Sequence, residues 1–521
     1  VAKVLIAEKI DQEGLTQLAA AGHTVELKLG LSAAELLQAV ADCQALIVRS
    51  QTQVTAEVLA AASDLKIVAR AGVGVDNVDV KAATRLGVVV VNAPRSNSLS
   101  AAEHTMGLLL AQARNIPQAH VDLTAGNWNR SQFQGVELSD KTLGIVGFGR
   151  IGQLVAERAA GFHMQVVAYD PFIPDELFRR LRVEPLSLEQ LFSQSDFVTL
   201  HVTKTPETTN LVNAELLATA KPSLRLINVS RGGIINEADL AEAIRAGIIA
   251  GAALDVFDQE PTVTSPLFEL PEVVVTPHLG ASTAEAQKKA GISVAGQVIQ
   301  MLEGQLPRFA VNIHAGRAPE ELMAFLPLCE QLGGIFNGLL HSLPATIEIE
   351  FSGQIAEADT KMGVIAMLTG LLRPICENPV SYVNAEEVAM SRGLEVRAIN
   401  TTTPKDYVNE ITLRGGGHEV GGTLLGVRAQ PHITWMEGHS VDLPPAEHMV
   451  VIRNYDRPGV IGAIGRVLGE ADTNISDMDV GLATGEEALI MLATDCAVRD
   501  EVAKQLLAIE AVTEVRVINL A

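Results

Sequence analysis

A chain of 521 residues, 48% hydrophobic but only 4% aromatic, is too long for one hydrophobic core and reads as three or four domains of an Ala/Val/Leu-rich α/β enzyme. Its formal net charge of −23 excludes nucleic acid and anionic membrane as partners, because both require clustered cations. Cys43, Cys329, Cys376 and Cys496 are scattered, with no C-x-x-C and no His/Cys cluster at metal spacing, so a reducing cytoplasm and no metal are expected.

The first residues read as a short strand interrupted by Lys3, and no signal peptide is expected from them. The longest apolar run, from Ile248 to Leu254, is too short to span a bilayer, so a soluble protein is expected. Strand patterns at 4–7, 24–27, 45–48, 65–69 and 88–91 alternate with helical ones such as 33–40 and 56–62, which predicts a parallel sheet covered on both faces. Ser100 followed by Glu103 reads as a capping box opening a helix over 101–113 that leads into a second lobe.

That lobe starts at the strand 142–146, which breaks into Gly147-Phe148-Gly149-Arg150-Ile151-Gly152 before a helix. Gly147 permits the tight turn, Gly149 lets the backbone approach a pyrophosphate, and Gly152 lets the helix pack close to the strand. The next strand, 165–169, ends in Asp170, where an acid grips the adenosine ribose hydroxyls and favours NAD over NADP. Strands follow at 197–200, 225–229, 251–255 and 273–276. Ser282 with Glu285 then suggests another capping box for the returning helix. Two doubly wound Rossmann-like lobes joined by two long helices would enclose a cleft.

Three loops at strand ends carry Arg231, Glu260 and His278. Arg231 can fork a substrate carboxylate, His278 can take a hydroxyl proton as hydride leaves, and Glu260 can orient the imidazole and stabilise its cation. A surface charge or a satisfied loop histidine explains any one of them alone. All three on one side of one sheet, behind a dinucleotide motif, point to a 2-hydroxy-acid dehydrogenase.

Beyond residue 313 the pattern becomes a mixed α+β domain with glycine clusters at 415–417 and 421–422. From 446 it becomes βαββαβ: strands at 449–453, 475–480, 488–493 and 512–518, with helices at 459–468 and 498–508.

Residues 70–77, 97–103, 147–152, 230–233, 255–261 and 277–282 resemble the D-2-hydroxyacid dehydrogenases, and more narrowly their long branch acting on 3-phosphoglycerate. The resemblance covers residues 1 to about 312 closely. It implies a substrate-binding domain at 1–97 and 283–312, an NAD-binding domain at 98–282, an intervening domain at 313–445 and a ferredoxin-like ACT regulatory domain at 446–521. Arg231, Glu260 and His278 are implied as catalytic. Val73, Gly74 and Asn97 are implied at the substrate carboxylate, and Arg49, Arg70 and Arg130 at the phosphate, Arg130 reaching across a dimer from the Trp128 loop. Arg150, Ile151, Asp170, His201, Thr203, Pro206, Ser230 and Asp255 are implied in the NAD pocket. His104 reads as structural.

The resemblance further implies L-serine as effector at Asn454, Asp456 and Asn474, between two ACT modules of a homo-oligomer (dimer through the NAD-binding domain, tetramer through the tail). Asp472 departs from the glycine common two residues before that asparagine. The intervening domain is implied to bind anions and join subunits. A glyoxylate or hydroxypyruvate reductase, or an NAD-sensing scaffold, is the competing reading; such reductases usually stop after the catalytic lobes, and no partner-binding extension is visible.

Overall fold

The structure, a computed structural model, describes residues 1–313, 319–376, 379–482 and 487–520. Strands β1 (Lys3–Ile6), β2 (Thr24–Leu27), β3 (Ala45–Val48), β4 (Ile67–Arg70) and β5 (Val89–Val91) form a parallel sheet in the order β2-β1-β3-β4-β5. Helices cover both faces of such a sheet, so β3 and β5 are wholly apolar and wholly buried.

The second parallel sheet contains β6 (Thr142–Val146), β7 (Gln165–Tyr169), β8 (Glu184–Pro185), β9 (Phe197–Leu200), β10 (Arg225–Asn228), β11 (Gly251–Leu254) and β12 (Val273–Val275). Their order is β12-β11-β10-β9-β6-β7-β8. It reverses between β9 and β6, and a crevice opens at the carboxyl ends of the strands at such a switch point. The expected two doubly wound lobes are therefore present.

Both long connecting helices start differently from the expected capping boxes. The first spans Ser98–Arg114 with Asn97 at its N-cap, and the Ser100 hydroxyl donates back to the Asn97 carbonyl from inside the first turn. The second spans Ala284–Leu302 and is capped by Thr283, whose hydroxyl accepts from Ala286 N–H, so Ser282 lies outside the cap. It packs on Gln12–Ala20, a helix the sequence reading omitted, and the two approach at glycines. A Cβ on Gly14 would lie 2.9 Å from the Gly291 carbonyl oxygen.

The intervening region has a six-stranded sheet of β13 (Thr346–Gly353), β14 (Glu395–Thr401), β15 (Asn409–Gly415), β16 (His418–Leu425), β17 (Gln430–Met436) and β18 (His439–Leu443), antiparallel except for the β13–β14 pair. Helices Leu326–Leu339 and Lys361–Leu372 are packed in its core. Residues Glu321–Leu339 are long and apolar enough for a membrane span, yet Leu328, Leu332 and Phe336 are fully buried here, which makes this a core helix. The last four strands, β19 (His448–Tyr455), β20 (Ile475–Leu482), β21 (Glu487–Thr494) and β22 (Val512–Asn519), form the antiparallel sheet β20-β21-β19-β22. Helices Val460–Glu470 and Asp500–Leu507 complete the βαββαβ order.

Asn312 fastens the returning chain to the first lobe. Its side chain is buried, accepts from Val90 N–H at 2.9 Å, and donates to the Val88 carbonyl at 2.9 Å and to Thr84 Oγ1 at 3.1 Å. Asn312→Ala strands these buried groups and should destabilise the first lobe by about 1–3 kcal/mol. Thermal unfolding checks this; an unchanged Tm would show that the clamp contributes nothing.

Candidate active site

Strands β10, β11 and β12 are consecutive neighbours, Asn228 pairing with Leu254 and Leu254 with Val275. The loops that leave them therefore emerge side by side, carrying Arg231, Glu260 and His278. His278 Nδ1 lies 2.5 Å from Glu260 Oε2, and the other Glu260 oxygen accepts from Phe257 N–H at 2.9 Å. Burial pushes the Glu260 carboxyl up, but the bonds from His278 and Phe257 outweigh it and hold the group below its ordinary range. An ionised carboxylate only accepts, so Nδ1 carries a proton, and the tautomer this fixes has Nε2 as its basic nitrogen.

The backbone of His278 is left-handed, with φ +55°. Such a conformation costs of order 1–3 kcal/mol and persists only where its surroundings enforce it. Asp255 supplies much of that enforcement. Its carbonyl accepts from His278 N–H at 2.8 Å, and its carboxylate accepts from Leu279 N–H at 2.7 Å and Gly280 N–H at 2.8 Å. Burial opposes its ionisation, yet His104, Thr276 and these amides keep its carboxyl below the usual range. Expected in the cofactor pocket, Asp255 is fully buried and braces the histidine loop.

Arg231 is aimed by its neighbours. Asn228 Nδ2 holds the Arg231 carbonyl at 2.9 Å and Asn228 Oδ1 accepts from the Ser230 hydroxyl at 2.7 Å. The guanidinium lies 3.4 Å from Asp76 across the cleft, over Gly74, where any Cβ would collide with it. The first lobe supplies the facing wall of a cleft of about 950 Å³, lined by Arg49, Arg70, Val73, Gly74 and Asn97 opposite Arg231, Glu260 and His278. Burial and the nearby Arg231 both lower the Arg70 pKa. Arg70 Nε and Asn97 Oδ1 are buried with no hydrogen-bond partner in the protein. Just before Val73 and Gly74, the Gly72 N–H is spent on the Arg70 carbonyl at 2.8 Å. Arg130 begins a short 3-10 helix, is exposed, and is not on the cleft wall.

The dinucleotide loop fits its motif. Gly147 has φ +91°, and a Cβ there would meet the His201 carbonyl at 2.5 Å. A Cβ on Gly152 would collide with the Gly147 carbonyl, whereas Gly149 faces open space, where a pyrophosphate can approach the N-terminus of the Arg150–Ala160 helix. Ile151 sits in that first turn. The Asp170 carboxylate is held at the loop by N–H groups of Phe148 (2.8 Å) and Phe172 (3.0 Å). His201 is pushed down to about 3 by burial and is neutral, 3.1 Å from Thr199 Oγ1. Thr203 and Pro206 follow in the same loop, and Ser230 stands at the end of β10.

The three expected effector residues are not brought together within one chain. Asn454 pairs with Ala488, whereas Ile475, next to Asn474, pairs with Thr494. The two asparagines thus lie at opposite ends of the sheet, about 20 Å apart at ~3.3 Å per residue. Asn454 Oδ1 is buried without a partner, and Asp456 is exposed just beyond β19. Asp472 has φ +59°, the left-handed conformation that glycine favours and aspartate tolerates, so the departure from glycine keeps the turn.

Sequence reading missed Asn228, Asp76 and Thr276 as organisers of the cleft; a polar residue ending a buried strand, as Asn228 does, was the available signal. Among the described residues no cluster of His, Cys, Asp and Glu could hold a metal ion.

Residues 106–280 match the NAD binding domain of the D-isomer specific 2-hydroxyacid dehydrogenases, 321–431 the D-3-phosphoglycerate dehydrogenase intervening domain, and 448–511 the ACT domain. The chain is 43% identical to the D-3-phosphoglycerate dehydrogenase of Mycobacterium leprae, covering 99% of both chains. It is 37% identical to that of Bacillus subtilis, again over 99% of both. Among solved structures, the TT0316 protein of Thermus thermophilus is similar at 36% identity and a TM-score of 0.56, over 59% of this chain and 99% of that one. The NAD-dependent formate dehydrogenase of Staphylococcus aureus, in complex with NAD, matches at 33% identity and a TM-score of 0.53, over 58% of this chain and 96% of that one.

Gly152→Val should abolish NAD binding, because the helix must retreat from the loop. Asp170→Ala should weaken NAD relative to NADP. Fluorescence titration of both cofactors checks this, and an unchanged NAD/NADP preference in the Asp170 variant would reject the ribose role.

Proposed function

The chain belongs to the D-3-phosphoglycerate dehydrogenase family, and we propose that its cleft oxidises 3-phospho-D-glycerate to 3-phosphohydroxypyruvate, the first step of phosphorylated L-serine synthesis. The observation that carries this is the His278–Glu260 pair and Arg231 facing Arg70 and Asn97 across one cleft. NAD, when bound, supplies the hydride acceptor.

Arg231 holds the substrate carboxylate with its planar fork, helped by the Val73–Gly74 loop, whose shape is fixed by the 2.5 Å bond from Asn92 Nδ2 to the Val73 carbonyl. His278 Nε2 takes the C2 hydroxyl proton as the C2 hydrogen departs as hydride. The Glu260 anion stabilises the imidazolium that forms. Arg49 and Arg70 receive the phosphate.

A cytoplasmic homo-oligomer is part of the same reading. Trp128 is 77% exposed, and Ile116, Val121 and Leu123 are also exposed in the preceding helix, an apolar surface that supports pairing of NAD-binding domains. Arg130, beside Trp128, then reaches the partner's cleft. The opposite placement of Asn454 and Asn474 supports a serine site shared by two ACT modules, because a two-fold axis sets one end of a sheet against the other end of its mate.

His278→Ala should lower turnover by roughly 10²–10⁴-fold. NAD binding should survive, since the glycine loop is untouched. Near-normal turnover in that variant, or equal use of unphosphorylated D-glycerate by the wild type, would defeat the assignment. For the effector, calorimetric titration should show L-serine binding to the wild type and weaker binding to Asp456→Ala; equal binding to both would remove Asp456 from the site.

A further inference from the structure

We propose that His104 is a positioning residue for the His278 base, acting through Asp255 and Thr276. The proposal rests on the dehydrogenase reading and concerns what keeps its base in place. His104 lies in the Ser98–Arg114 helix, which also begins beside the substrate site at Asn97. Its Nε2 is 3.0 Å from Thr276 Oγ1 and 3.2 Å from Asp255 Oδ1. The Thr276 hydroxyl donates to that same Oδ1 at 2.6 Å. With its hydrogen committed there, Thr276 can only accept from the histidine, and the Asp255 carboxylate can only accept as well. Nε2 of His104 must therefore carry the proton and share it between the two oxygens.

The consequence reaches the base by a short route. Asp255 is fully buried, and its backbone and side chain hold the N–H groups of His278, Leu279 and Gly280. Three successive amides on one residue fix the left-handed turn that aims the imidazole at Glu260. A buried carboxylate deprived of a donor shifts to regain one, and the turn it holds shifts with it. A displacement small enough to leave binding intact misaligns proton transfer. A histidine that merely joined helix to sheet would affect the amount of folded protein and not the turnover of each folded site.

The test compares His104→Leu with His104→Gln, whose amide can replace the Nε2 donor, and Thr276→Val with Thr276→Ser. Turnover is normalised to the NAD-binding stoichiometry of each preparation, and the 3-phosphoglycerate KM and the NAD Kd are measured alongside. We expect kcat to fall about tenfold or more in His104→Leu and Thr276→Val, as misplaced groups remote from the chemistry do. KM and Kd should stay within about twofold, the signature of an interaction felt in the transition state. His104→Gln and Thr276→Ser should recover most of the loss. An unchanged kcat in His104→Leu, a loss confined to KM or Kd, or a Gln variant no better than Leu would overturn the proposal. If His104→Leu does not fold, the nearly isosteric Thr276→Val and its Ser counterpart decide by the same criteria. A wild-type enzyme that binds NAD but oxidises no 2-hydroxy acid would overturn the dehydrogenase reading together with this one, whereas an active wild type with unaffected variants overturns this one alone.

Discussion

Neighbouring parallel strands deliver the residues that follow them to the same edge of the sheet, and the catalytic cleft depends on that constraint. Arg231, Glu260 and His278 are far apart in sequence but emerge from β10, β11 and β12, adjacent and in register. A parallel sheet must be buried on both faces, so β11 and its neighbours are apolar, and polar groups are admitted only at the strand ends. Asn228 and Asp255 are those admissions. Each is almost wholly inaccessible, and each uses its oxygens to fix the loop that follows or adjoins it. A buried carboxylate is costly unless its lone pairs are filled, so the Asp255 site is ordered or unstable, with little between.

The facing wall obeys the opposite logic. Burial and the nearby Arg231 lower the tendency of Arg70 to hold charge, and Arg70 Nε and Asn97 Oδ1 have no hydrogen-bond partner in the protein. Each such unpaired buried atom costs about 1–3 kcal/mol. An anionic group set between Arg70 and Arg231 would relieve the repulsion between these cations. Cations on both walls of the cleft thus favour a ligand that carries anionic groups.

Much of the architecture was legible because strands buried in parallel sheets are short, apolar and bounded by turns. The expected strands at 45–48 and 197–200, both wholly buried, coincide with those observed. Helix starts were less legible. Ser100 and Ser282 have the side chains of caps, but Asn97 and Thr283 occupy the positions, because the geometry of entry rather than residue type decides which residue stands outside the first turn. The intervening region hid its core for another reason. Gly333 and Gly370 look like helix breakers, yet they let two helices approach until a Cβ on either would meet the other's backbone. Which residues face the cleft was legible from strand ends, whereas the Asp255 brace was not, since it joins groups from three separate segments.

The tail adds a physical route between the ACT sheet and the catalytic lobes. Arg453, on β19, donates to Glu437 at 2.6 Å, and His418 approaches the same carboxylate oxygen at 3.1 Å, so the last domain is tied to the intervening sheet by a largely buried charge. At its other side the intervening domain sends Ser381 Oγ to the Gly87 carbonyl at 2.8 Å and Val383 into the first-lobe core. Gly87 itself has φ +73°, and a Cβ there would lie 2.8 Å from the Pro379 carbonyl, so the docking leaves little slack. Contiguity alone transmits nothing, because a ligand shifts an equilibrium only by its difference in affinity for two states. The separation of Asn454 from Asn474 within one chain provides a source for such a difference. A ligand that engages both must join two copies, so its affinity depends on how the copies are arranged. Under the proposed shared site, the arrangement of the ACT modules would bear on the first lobe through these close contacts.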